Sequence, residues 1–164
     1  LKDFLFFGKD KDNGLLFNNI SGNYKLSELN AALALADLER SVKRIKRRRS
    51  IDKYYKENTL SNKFKYLNAP DSNSPSNYKS IFIAKNESTR SLIEKSFKEH
   101  DISMTGYVYK IPLHKQPRII NSNNFITREL AKTNDFCTRH FTPPNYPELT
   151  DSQVEYICNT MNKI

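Results

Sequence analysis

Asn23 and Lys25 stand two places apart in Gly22-Asn23-Tyr24-Lys25, just ahead of a helix that Ser27 can cap. A helix start presents unpaired amide N–H groups and the positive end of its dipole, and both attract an anion. Asn23 adds neutral donors and Lys25 a point charge, a combination suited to phosphate. Read alone, these four residues are better explained as a turn followed by helix entry. Further along, Lys43-Arg44-Ile45-Lys46-Arg47-Arg48-Arg49 holds six basic residues in seven. Such a run can meet nucleic acid or draw in an anionic substrate. The favoured reading is a solvated helix surface, because the charges are spread around the helix and no aromatic platform is interleaved with them. His100 and His140 have no companions that suggest catalysis or a metal. Cys137 and Cys158 form no metal-spaced set and read as structural thiols in a reducing compartment.

The elements that must carry these residues follow from composition and periodicity. The chain has 164 residues, a formal charge of +9 and 37% hydrophobic residues. That is enough for one domain with a core, or one domain plus an appendage. Ten Phe and nine Tyr in a clear apolar pattern exclude general disorder. No apolar run approaches the ~20 residues that span a bilayer. Residues 1–24 read as irregular, with a Leu5-Phe6-Phe7 patch that has no nearby partner.

Ser27 to Asn58 has a helical pattern uninterrupted by Pro or Gly and about 48 Å long. Leu26, Leu29, Leu33 and Ala36 share one stripe, to which Ile51 and Tyr55 return. Leu35, Leu38, Val42 and Ile45 lie nearly opposite. Two stripes imply a connector gripped between two bodies. Beyond it, Lys63–Leu67, Tyr78–Ala84 and Ser103–Ile111 read as strands. Ser88–His100 reads as a helix with Leu92, Ile93 and Phe97 inward, and Thr127–Phe136 as a short helix. Thr150-Asp151-Ser152-Gln153 forms a capping box that opens a last helix with Val154, Ile157, Cys158 and Met161 facing in. The expected fold class is α+β.

Gly22-Asn23-Tyr24-Lys25-Leu26-Ser27-Glu28-Leu29-Asn30-Ala31-Ala32 resembles the GxNYRMSELQAA segment of the DegT/DnrJ-type nucleotide-sugar aminotransferases, which are pyridoxal-phosphate (PLP) enzymes. Tyr107-Val108-Tyr109-Lys110-Ile111-Pro112-Leu113-His114-Lys115-Gln116-Pro117 resembles that family's YxxPLHxQP segment. Phe141–Asp151 is similar to its LPxYPxLTxE stretch, with Thr142-Pro143-Pro144 in place of Leu-Pro. Leu5–Asp10 is a looser match to its Asn-His-Gly-Arg region.

The resemblance implies the fold of the C-terminal small domain of a fold-type-I PLP aminotransferase, preceded by a long interdomain helix. Residues 1–26 would be a remnant of the large PLP-binding domain, 27–58 the interdomain helix and 59–164 the small α+β domain. It implies that Asn23 reaches the PLP phosphate of the partner subunit, and that Lys25 meets the phosphates of a sugar nucleotide. Lys25 stands where the family usually has Arg, so it keeps the charge without the bidentate fork. Tyr109 and His114 are implied substrate contacts. The alternative for that segment is a surface loop in which neighbours satisfy His114.

The implied reaction transfers an amino group, commonly from glutamate, to a keto-sugar nucleotide in a cytoplasmic homodimer. No lysine here stands in the Schiff-base context, so no catalytic residue is expected in this chain, which alone should not transaminate. The expectation includes no metal, membrane or nucleic-acid partner. The competing expectation is a non-catalytic binding or interaction module that uses the basic helix 43–49.

Overall fold

The computed structural model describes residues 12, 25–68, 74–105, 110–122 and 129–164. Asn23, Tyr109 and the Leu5-Phe6-Phe7 patch lie outside them. The chain forms two compact units, Leu1–Val42 and Lys43–Ile164.

The described part of the first unit is Asp12, the head of helix α1 (Glu28–Asn58) and the three residues before it. The Ser27 carbonyl accepts from Ala31 N at 2.9 Å, and its hydroxyl accepts from Asn30 N at 3.3 Å, so Ser27 caps the helix as its position predicts. Leu26, Leu29, Leu33, Leu35, Leu38 and Val42 are all exposed. Both expected stripes are real, and over this stretch neither is covered.

In the second unit the remainder of α1 packs on an antiparallel sheet with strand order β1-β2-β3, where β1 is Phe64–Tyr66, β2 is Phe82–Ala84 and β3 is His140–Phe141. Phe64 lies opposite Ala84, Tyr66 opposite Phe82, and Phe82 opposite Phe141. Alternation therefore puts Phe64, Phe82, Ala84 and Phe141 on one face, where all four are buried. Phe82 stacks on Phe141 at 5.4 Å and meets Phe64 and Tyr66 edge-on at 5.9 and 5.4 Å. Ile51 and Tyr55 of α1 complete this core, together with Ile93 and Phe97 of α2 (Glu87–Glu99).

Short elements follow. Leu113–Lys115 is a 3-10 turn, α3 is Pro117–Ile120, α4 is Ala131–Arg139 and α5 is Asp151–Asn162. The capping box forms as expected. Thr150 Oγ1 accepts from Gln153 N at 3.2 Å, and Gln153 Oε1 accepts from Thr150 N at 3.0 Å. Val154, Ile157, Cys158 and Met161 all face the core.

Several expectations change. Leu92 points outward at 54% exposure, about 100° around α2 from Ile93, and Arg90 takes the buried position instead. Arg90 can do so because its guanidinium pairs with Glu94 and donates to the His140 carbonyl at 3.2 Å. The strand expected over Ser103–Ile111 reduces, among described residues, to one bridge between Thr105 and Thr142. The strand expected from Tyr78 begins only at Phe82, since Asn77 has a φ of 50° and Tyr78 turns outward. The short helix starts at Ala131 rather than Thr127 and runs to Arg139, where an Asp135–Arg139 pair one turn apart supports its end.

Candidate functional site

Lys25 is exposed, three residues ahead of the first turn of α1, where Glu28 already complements the helix dipole. His114 belongs to the second unit. Pro112 precedes its turn in extended backbone, Lys115 N donates to the Pro112 carbonyl at 2.9 Å, and Gln116 N donates to that of Leu113 at 3.0 Å. Pro117 then opens α3 at a position where its missing N–H costs nothing. This proline-framed turn holds His114 half-buried, with its Nε2 enclosed and without a hydrogen-bond partner among the described residues. A buried ring nitrogen left unpaired is uncommon, because desolvating a polar group without a partner costs about 1–3 kcal/mol. Ile111, Leu113 and Ile120 around it are exposed.

The basic run is committed largely to the protein itself. Arg44 pairs with Glu148 at 3.3 Å and Arg47 with Asp151 at 2.7 Å, while Arg47 also donates to the Leu149 carbonyl. Arg49 donates to the carbonyls of Ser74 and Pro75 at 3.0 and 2.8 Å, and Arg48 lies over the Tyr78 ring at 5.5 Å. Four of the six cations thus fasten α1 to the segment before α5 and to the loop before β2. Lys43 and Lys46 remain exposed. The expected solvated surface therefore holds for Lys43 and Lys46, whereas the four arginines are engaged within the protein instead.

Beneath those arginines lies a polar cluster that the sequence reading missed. Asp52 accepts from Tyr66 Oη at 2.7 Å and from Ser80 Oγ at 2.6 Å. Asn145 Nδ2 donates to Ser80 Oγ at 3.0 Å, to the Asn77 carbonyl at 3.0 Å and to that of Arg48 at 3.3 Å. Asp52, Ser80 and Asn145 are all buried. Burial, with the hydrogen bond to Asp52 and its charge, raises the Tyr66 phenol well above its usual range. The available signal was Asp52 itself, an acid set between Ile51 and Tyr55 on the apolar stripe. The cluster ties α1 to β1, β2 and the Pro143-Pro144-Asn145 segment, so its role is to position the helix.

Every described lysine is exposed except Lys79, which is half-buried. A cavity of about 320 Å³ lies between the end of α2 and the start of α5, walled by His100, Asp101, Thr105, Tyr146, Gln153 and Tyr156. It contains no lysine. Among the described residues, then, no amine is enclosed as a covalently held aldehyde cofactor requires.

Comparison with known proteins gives consistent results. The sequence profile of the DegT/DnrJ/EryC1/StrS aminotransferase family matches residues 2–162. A DegT DnrJ EryC1 StrS aminotransferase from Brucella abortus superposes with a TM-score of 0.85 at 20% identity, over 99% of this chain and 42% of that one. PseC of Helicobacter pylori, an aminotransferase involved in pseudoaminic acid biosynthesis, gives 0.81 at 20% identity over 99% and 44%. A Streptococcus pneumoniae protein described as a sugar aminotransferase, solved in its PLP form, gives 0.82 at 18% identity over 99% and 41%. At these identities the likeness establishes the fold. This chain spans less than half the length of each of these solved chains. No curated protein sequence matches it significantly.

Proposed function

This chain belongs to the DegT/DnrJ/EryC1/StrS aminotransferase family, and from that premise we propose that it is the C-terminal portion of a PLP-dependent aminotransferase acting on keto-sugar nucleotides. The observation that carries this reading is the family match over residues 2–162 in a chain that covers 99% of itself but only 41–44% of the solved aminotransferases.

In this reading Asn23 meets the PLP phosphate of the partner subunit, and Lys25 the phosphates of the sugar nucleotide. Tyr109 and His114 line the substrate. The unpaired, enclosed Nε2 of His114 supports a polar contact there, because a substrate hydroxyl or phosphate would satisfy it. The amine that carries the cofactor comes from outside this chain. Residues 1–26, 27–58 and 59–164 are then the end of the large domain, the interdomain helix and the small domain. Glutamate is the amino donor, and the complete protein works in the cytoplasm. No helix among the described residues is long and apolar enough to cross a membrane.

The bare head of α1 supports the need for further polypeptide. Six large aliphatic side chains, Leu26 to Val42, are 59–71% exposed on two opposite stripes. Full burial of each would contribute about 1.5–3 kcal/mol, so roughly 10 kcal/mol of burial is unrealised. Two stripes suit two covers, which we assign to the large domain and to the second subunit of a homodimer.

The test uses the 164-residue chain with PLP, glutamate and keto-sugar nucleotides, alone and joined to a large domain that carries the Schiff-base lysine. Turnover is expected only from the joined protein. There Asn23→Ala should weaken cofactor retention about tenfold, the loss of one charge-assisted hydrogen bond. PLP-dependent turnover by the isolated chain would sink the proposal.

A further inference from the structure

The geometry points to a binding site for a small phosphate-bearing anion on the outer face of the sheet, built by Lys63, Lys65, Lys85 and Arg139. It stands apart from the aminotransferase reading and does not depend on it. Because Phe64, Phe82 and Ala84 face the core, Lys63, Lys65, Ile83 and Lys85 occupy the opposite face of the same two strands. The register places Lys65 opposite Ile83, and the ladder continues to Lys63 and Lys85, where Lys85 N donates to the Lys63 carbonyl at 2.7 Å. Two lysines therefore sit directly across from each other, with a third two residues along. Like charges so placed destabilise a sheet.

No carboxylate among the described residues relieves Lys65 or Lys85, and both are exposed. Lys63 Nζ donates to the Ile164 main-chain oxygen. Arg139 closes the group from the end of α4 and is held in place. Its Nε donates to Asp135 Oδ1 at 2.7 Å and its Nη1 to the Ala84 carbonyl at 3.0 Å. Among the described residues, Asp135 is thus the one acidic side chain in contact with the four cations. All four, with Ile83 and Asn62, line one cavity of about 330 Å³.

Lysines on an edge strand commonly guard against pairing with other chains, and β1 is an edge. That explains Lys63 and Lys65. It does not explain Lys85, one residue past the central strand, or Arg139, which is anchored beside it. The cavity has the volume of a small-ligand site. The one aromatic residue in its lining, Phe64, is buried at 5% exposure and turned to the core. A surface without stacking platforms suits a compact anion better than single-stranded nucleic acid.

Calorimetric titration and thermal denaturation of the 164-residue chain with inorganic phosphate and with diphosphate test this. Diphosphate should bind more tightly than phosphate and raise the melting midpoint. Lys65→Gln and Lys85→Gln should each weaken binding about tenfold, while Lys132→Gln, on α4 outside the group, should not. In low salt without the anion, Lys85→Gln should melt higher than the parent chain, because it removes the cross-strand repulsion. Parent-like binding by Lys85→Gln would overturn the proposal, as would an equal loss in Lys132→Gln. A short DNA duplex that displaces diphosphate and binds more tightly would replace the small-anion site with a nucleic-acid surface.

Discussion

Ser80→Ala should destabilise the fold more than Tyr66→Phe, although both remove one hydroxyl donor from the same carboxylate. Hydrogen bonds to a charged group contribute about 1.5–3 kcal/mol when no water can replace them. Tyr66 is half-buried, so water can take over part of its donation to Asp52, and the lower end, about 1.5 kcal/mol, applies. Ser80 has 0% exposure. Its loss leaves Asp52 Oδ1 without a replacement and also removes an acceptor from Asn145 Nδ2, which keeps the Asn77 and Arg48 carbonyls. The second loss adds about 0.5–1 kcal/mol, for a total of about 2–4 kcal/mol. The chain has no Trp, so urea unfolding is followed by far-ultraviolet circular dichroism, with an unchanged denaturant slope as the condition for comparing stabilities. A cycle combining Ser80→Ala with Asp52→Ala should show a coupling of about 1.5 kcal/mol or more, since the two groups are in contact. If Ser80→Ala costs no more than Tyr66→Phe, or the coupling vanishes, the cluster does not hold α1 on the sheet.

Three further outcomes follow from the same structure. Burial raises the phenols of Tyr55 and Tyr66 above their ordinary value of 10.0. The folded chain then retains protons that the unfolded chain releases, so stability should be complete below about pH 10 and fall as pH rises further, less steeply in Tyr55→Phe. Asp101 follows α2 with a φ of 55° while Ile102 N donates back to the Phe97 carbonyl at 2.8 Å, the arrangement in which glycine is preferred. Asp101→Gly should therefore stabilise by about 0.5–1 kcal/mol, read as a higher melting midpoint, and a lower one would contradict the strain argument. Burial pushes the Cys158 thiol up, and its side chain is 1% exposed. An alkylating reagent should modify it only at the rate of unfolding, and rapid labelling of the native protein would refute that burial.

The long helix was legible because nothing in Ser27–Asn58 breaks a helix and both apolar stripes recur at helical spacing. The final helix was legible because its capping box and four inward residues are local features, separated by one to four positions. Leu92 and the described ends of the strand expected over Ser103–Ile111 depart from expectation for a shared reason. Hydrophobicity and β-propensity report what a residue tolerates, whereas burial depends on which face meets a neighbour far along the chain. Arg90 takes the buried place of Leu92, with Glu94 and the carbonyl of His140 as partners for its guanidinium.

The candidate site divides in the same way. Local order and spacing identified the segments that contain Asn23, Lys25, Tyr109 and His114, and with them the family. The fates of the basic residues were not local. Arg44 and Arg47 find Glu148, Leu149 and Asp151 about a hundred positions away, and Lys63 meets Lys85 only because the strands pair in one register. By itself the sequence determined the long helix, the last helix, their caps and the chemistry its motifs could offer, because those depend on neighbours within a few residues. Only the tertiary structure decided which charges are neutralised within the protein and which remain available, because electrostatic partners are chosen by distance in space.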